Sequence, residues 1–220
     1  MRIILLPSIL MLFWVLHHNL RKNNSPDPKN IRTYLANEDK ANATRKQDIS
    51  DLPYIQVPLE TFPFDITLKD QKKQSQIAEF QKTITSLSEL RMLNLIGVSN
   101  TELKASYGPA NLEILTICDQ NYSRYIRTLW LFADCIYEEH PQKAVSILEY
   151  CLSIGTDISG TYDLLGRYYL GHGDENQFRT LYESIPVKDS VSGKVIKNKL
   201  DQLHSEFSSI SCNTSSNESH

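Results

Sequence analysis

Paired cysteines, glycine-rich loops and long runs of one charge are all missing from this chain. The four cysteines, Cys118, Cys135, Cys151 and Cys212, include no Cys-x-x-Cys, which removes zinc knuckles, thioredoxin-like dithiols and a dense disulfide framework. The eight glycines make no phosphate cradle. No Gly-x-x-x-x-Gly-Lys-Ser/Thr and no His-Glu-x-x-His occurs, and Gly171-His172-Gly173 lacks both the third glycine and the preceding strand of a dinucleotide motif, so it reads as a turn. His140, His172 and His204 recur every 32 residues, about one repeat width apart, too far to share an ion. The expectation is therefore no catalytic residue, no metal, no cofactor and no small-molecule substrate.

What is present is the composition of a packed protein. Apolar residues make up 40% and charged residues 22%, which favours a core over wholesale disorder. The net charge of −3 is uneven. Residues 21–50 hold seven basic against four acidic side chains, +3, whereas residues 51–207 hold 15 basic against 21 acidic, −6. An acidic body argues against nucleic acid, whose binding rests on Lys and Arg neutralising phosphates.

One long apolar run stands at the amino terminus, Ile3 to Leu16, broken by Pro7 and Ser8. As a helix, residues 1–20 span about 30 Å, the thickness of a bilayer's hydrocarbon. A secretory signal and a buried soluble helix compete with this reading. The following His17-His18-Asn19-Leu20-Arg21-Lys22 offers no small cleavage-site residues, and Phe13-Trp14 with two histidines has the character of an interfacial end. The expectation is a single-pass transmembrane anchor over 1–20. Arg21, Lys22, Lys29 and Arg32 outweigh Arg2, which by the positive-inside rule places the C-terminal body in the cytoplasm.

Beyond the anchor, residues 21–50 read as a polar linker in which Ser25-Pro26-Asp27-Pro28 stops any helix leaving the membrane; Arg32 to Lys46 suits a polar helix with few apolar anchors. Residues 51–68 carry prolines at 53, 58 and 63, which exclude a helix and a central strand. Yet Tyr54, Ile55, Val57, Leu59, Phe62, Phe64, Ile66 and Leu68 are too apolar for a solvated linker. An extended segment lying on a helical surface reconciles the two. From Gln71, Ile77, Phe80, Ile84 and Leu87 recur at three- and four-residue steps, a helical stripe. Asn100 to Leu103 offers a cap ahead of a short helix ending at Gly108, and Pro109 suits the first turn of another reaching Asp119.

The remainder repeats. Helices are expected over Tyr122–Glu139, Pro141–Ile154, Ile158–Gly171 and Glu175–Ile185, with a capping helix Val191–Phe207 and a disordered Ser/Asn-rich tail from 208 to 220. Counting back 34 residues pairs Leu165 with Leu131, Tyr169 with Cys135 and Phe178 with Ala144. A period of that length built from two helices marks stacked hairpins, each unable to bury its apolar face alone. The fold class is thus all-α, with an anchor, a helical domain over 51–207 and helices over 71–119 leading into repeats over 125–207.

Tyr162, Leu165, Gly166 and Tyr169, with Leu131 and Ala144 upstream, resemble the tetratricopeptide-repeat (TPR) consensus. Departures are Thr128 at the opening of the first repeat, Phe178 where a small residue belongs, and the early Pro186. The whole chain also resembles a bacterial family of short membrane-anchored proteins to which no activity is attached. The tetratricopeptide resemblance implies a concave groove lined by the first helix of each hairpin, here Ile126, Leu129, Ala133 and Tyr137, then Asp163, Arg167 and Leu170. Repeats that hold a peptide's terminal carboxylate carry Lys and Asn where this chain has Leu129 and Ala133, so that activity does not transfer. Tyr54, Phe62 and Phe64 form a docking segment suited to such a groove. Two functions follow as expectations. One is a membrane-tethered scaffold for a protein or peptide partner, and the other is a structural subunit whose groove is permanently filled.

Overall fold

A computed structural model describes residues 28–217, with side chains over 30–209. Its elements are helices α1 (Pro28–Asn42), α2 (Gln71–Ser88), α3 (Asn100–Tyr107), α4 (Leu112–Tyr137), α5 (Pro141–Ser153), α6 (Ser159–Gly171), α7 (Glu175–Glu183) and α8 (Val191–Asn217), plus two short 3-10 turns, Leu59–Thr61 and Pro109–Asn111. No strand occurs among the described residues, so the fold is all-α. Among them, too, no helix is long and apolar enough to cross a membrane; the anchor expected over 1–20 lies outside them.

The helices lie in two layers. Helices α2, α4, α6 and α8 follow one another in the first, while α5 packs behind α4 and α6, and α7 behind α6. α4 is the spine. It runs unbroken for 26 residues where two helices, ending and restarting around Asp119 to Tyr122, are expected. Nothing in Gln120-Asn121 forces a break, and the buried stripe Leu115, Cys118, Tyr122, Tyr125, Leu129, Phe132, Ile136 keeps three- and four-residue steps throughout. An interrupted helix would expose backbone groups in the middle of that stripe.

Burial recurs between the two hairpins, at two spacings. Thr128, Leu129, Phe132, Ala133 and Ile136 of α4 are buried, as are Thr161, Tyr162, Leu165, Gly166 and Tyr169 of α6, each 33 residues on. In the second helices the spacing is 34: Ala144 with Phe178, Ile147 with Leu181, Cys151 with Ile185. The expected pairings of Leu131 with Leu165 and Cys135 with Tyr169 therefore fall one residue off. One residue is about 100° of rotation in a helix, and it turns Leu131 and Cys135 to the half-buried flank that meets α2. The small residue at the position equivalent to Gly166, 33 residues back, is Ala133. At Gly166 a Cβ would stand 3.1–3.3 Å from Leu203, Leu200 and Phe178, so its absence lets α8 and α7 close on α6.

Residues 51–68 are extended and docked. Phe62 stands edge-on to Tyr150 at 5.4 Å and stacks on Phe64 at 5.7 Å; Phe64 reaches Phe132 at 6.0 Å. The three prolines bar the segment from a regular ladder, and side chains of α2 serve its backbone. Gln81 donates to the Phe64 carbonyl (2.8 Å), and the Leu68 N–H donates to Gln74 (2.7 Å). The Ile55 N–H donates to Met92 O at 3.0 Å. This strap fills the second layer beside α5, where a repeat array has a helix.

Two expected disordered or tethering stretches are structured. Over 28–50 the chain is not a free linker. The carboxylate of Glu38 on α1 is held by Lys104 and Thr101 of α3, Ala41 is buried, and Ile49 joins a small cluster with Leu93, Leu103, Leu115 and Cys118. The Gln47 N–H donates to Tyr107 O, and Asn111 Nδ2 bridges Gln47 O and Tyr107 O. Polar pairs rather than apolar periodicity hold this stretch, which is why its sequence looks like a tether. At the other end α8 continues to Asn217 instead of ending at Phe207. Serine hydroxyls there fold back onto the helix, Ser208 to His204 O and Ser209 to Glu206 O. The helix α3 is capped by Ser99 in a capping box with Glu102, one residue before the expected start.

Two substitutions test this packing. Phe62→Ala removes the ring that ties strap to α5, and truncating a buried Phe costs about 3 kcal/mol or more. Limited proteolysis is expected to cut Phe62→Ala between Tyr54 and Phe64 while leaving wild type intact there. Gly108 has φ +83°, and a Cβ on it would stand 2.7 Å from Arg45 O. Gly108→Ala is expected to lower stability by at least about 1–2 kcal/mol, read as the shift in urea midpoint.

Candidate interaction groove

A cleft of about 500 Å³ runs over the outer side of the first layer, between α2, α4 and α6. Lys73, Gln76 and Phe80 line it from α2, Leu131, Asp134, Cys135 and Tyr137 from α4, and Leu164 and Arg167 from α6. It exists because α4 buries so much of its circumference. α5 and the strap cover its back and α2 and α6 its flanks, so that from Tyr122 to Tyr137 only Ser123, Arg124, Arg127 and Asp134 stay exposed. A second cleft of about 410 Å³ continues along α4, where Arg127 and Trp130 meet Leu95, Ile96, Asp157 and Ile158.

Charges of both signs rim an apolar floor. Lys73 Nζ donates to Glu138 at 2.6 Å across one end. That bond holds the lysine above its ordinary pKa and the carboxyl below its own. On the other wall Asp163 faces Arg167 at 3.2 Å and Lys199 at 3.6 Å. Such exposed pairs contribute little to stability, about 0–1 kcal/mol each, so the rim charges are free to exchange partners. The floor is more fixed. Tyr137 donates to Leu164 O at 3.2 Å, and burial pushes its phenol up. Burial also raises the Cys135 thiol, so at neutral pH it is protonated and a poor nucleophile.

The residues expected in a groove divide. Tyr137 and Arg167 line the cleft, while Asp163 pairs with Arg167 but lines a separate hollow between α6 and α8. Leu129 and Ala133 do not, being fully buried in the core, and Ile126, itself buried, lies at the second cleft with Leu95, Ile96 and Ile158. Leu170 is half-buried against the core, outside the cleft. The same one-residue rotation turns Leu129 and Ala133 of α4 inward, and Leu131 and Asp134 take their place in the cleft. Phe62 and Phe64 do dock in cis, but on the second layer, and Tyr54 docks on the cluster of Ile49, Leu93, Leu103, Leu115 and Cys118. Tyr54 donates to Ile49 O at 2.7 Å beneath the guanidinium of Arg91.

The sequence reading missed Phe80, Trp130 and Leu164. Trp130 packs against Gly160 of α6, where a Cβ would collide with the indole. Its only sequence signal was a large aromatic residue flanked by the polar Arg127 and Asp134, off the core stripe by one step. The three histidines have separate surroundings: His140 lies 3.3 Å from Thr67 O, His172 against Tyr168 and His204 on Phe178. No group of three or more metal-ligating side chains stands together among the described residues. No protein-family model, no curated protein and no solved structure matches the chain.

Proposed function

We propose that the chain is a membrane-tethered scaffold, resembling tetratricopeptide repeats, that binds a protein or peptide partner and has no catalytic activity. The observation that carries this is the cleft over α4, an apolar floor of Phe80, Leu131 and Leu164 edged by Lys73, Asp134 and Arg167. Apolar pockets with convergent charges at the rim suit an extended segment that inserts one side chain and pairs its neighbours. Burial of Tyr162, Leu165, Gly166 and Tyr169 together supports the repeat resemblance, although the 33-residue spacing of the first helices departs from it. The anchor at 1–20 and a cytoplasmic body remain part of this proposal on the strength of the apolar run and the basic residues after it.

A structural subunit of a larger membrane-associated complex is the second reading. Ile114 and Ile117, 41% and 49% exposed and one turn apart on α4, favour it, because a paired apolar surface invites permanent cover. The two readings separate in one experiment. Full-length wild type, Arg167→Glu/Leu131→Asp and Ile114→Ser/Ile117→Ser are used to recover partners from solubilised membranes. The scaffold reading expects recovery to fall about tenfold, ~1.4 kcal/mol, in the cleft variant alone. Loss confined to the Ile114/Ile117 variant overturns it in favour of the subunit.

A further inference from the structure

The apolar stripe of α1 is covered along only part of its length. Ile31, Tyr34, Leu35, Glu38, Ala41 and Asn42 share one face at three- and four-residue steps. The second half lies on α3, where Glu38 meets Thr101 and Lys104, Ala41 is buried, and Asn42 accepts from Lys104 at 3.0 Å. Glu38 lies beside Thr101, Asn42 beside Lys104, and Gln47 bonds to Tyr107; the two stretches run parallel. α3 begins at Asn100, so the first half of α1 projects past it. There Ile31, Tyr34 and Leu35 are 42%, 58% and 53% exposed.

Three facts say what covers that half. The chain before α1 carries the apolar run Ile3 to Leu16, and eight residue steps from 20 to 28 reach at most about 28 Å. If residues 1–20 cross a bilayer, α1 starts close to its surface. The charge there is one-sided: Arg21, Lys22, Lys29 and Arg32 stand against Asp27 alone over residues 21–37. Tyr34, an aromatic ring with a polar tip, is a residue type favoured at headgroup depth.

We infer that the first half of α1 lies in the headgroup layer of an anionic lipid surface, with Ile31, Tyr34 and Leu35 inserted and the basic residues of 21–37 attracted to the lipid phosphates. A short amphipathic helix binds such a surface through apolar area plus attraction to anionic lipid. This rests on the anchor reading above and adds a second point of attachment. With α1 clamped to α3 by Glu38, two attachments fix the tilt of the body against the membrane, where a tether alone leaves it free to swing.

The test uses the full chain in vesicles of phosphatidylcholine with phosphatidylglycerol, and of phosphatidylcholine alone. Wild type is compared with Ile31→Gln/Tyr34→Gln/Leu35→Gln, since glutamine keeps helix propensity. Flotation and amide hydrogen exchange are measured together. Both proteins are expected to float. Amides 30–37 of wild type should exchange about tenfold more slowly than those of the variant on anionic vesicles, with α4 unchanged. Protection should weaken on phosphatidylcholine alone. A wild type that floats with 30–37 exchanging as in the variant overturns the inference and leaves the anchor standing. Failure to float overturns both. Protection that persists in detergent and grows with protein concentration assigns the face to a second copy instead, and equal protection on both vesicles removes the role of charge.

Discussion

Everything in this molecule depends on α4 having something apolar to press against on nearly every side. Its buried side chains point in three directions at once. Tyr125 meets Tyr150 of α5, Phe132 meets Phe64 of the strap, the half-buried Tyr137 reaches Leu164 of α6, and the half-buried Cys135 reaches Lys73 of α2. Taken alone, a helix apolar around so much of its circumference would not stay soluble. Its neighbours are therefore not ornaments on a two-repeat core; they are the condition under which the core exists. The cleft is the strip that remains when the covering is done.

Buried tyrosines tie the layers at their ends. Tyr122 reaches Ile154 O, Tyr162 lies within hydrogen-bonding distance of Thr156 O and Ser184 O, and Tyr169 donates to Glu149 at 2.9 Å. Asn94 Nδ2 adds donors to Ile154 O and Gly155 O. Carbonyls at helix ends have no partner within the helix, and here hydroxyls and an amide from neighbouring elements supply it. Burial pushes these phenols well above their ordinary range, Tyr162 to about 12, so they stay protonated and keep donating at any physiological pH.

Legibility followed periodicity. The helices around Ile77, Ile84 and Leu87, and those of the hairpins, could be read because their apolar steps are regular, and the strap could be read because proline and aromatic residues contradict every other assignment. What stayed hidden was held by polar or rotational detail. Glu38 with Lys104, and Asn111 with Gln47, dock the 28–50 stretch through polar pairs that no periodicity announces. The cleft was placed on the right helices but on the wrong stripe of α4. A repeat template carries register as well as period, and one residue of register turned Leu129 and Ala133 from lining to core.

The strap has a consequence for assembly. Solenoids lengthen because each unit offers its neighbour the same ridged helical surface, and unprotected ends invite another copy to join. At the α5 edge the row finishes in an irregular, proline-interrupted backbone with no helical ridges for an incoming hairpin to mesh with. The second layer is thereby blunted on that side by the chain's own strap, which offers an incoming hairpin no second helix to mesh with beside α5.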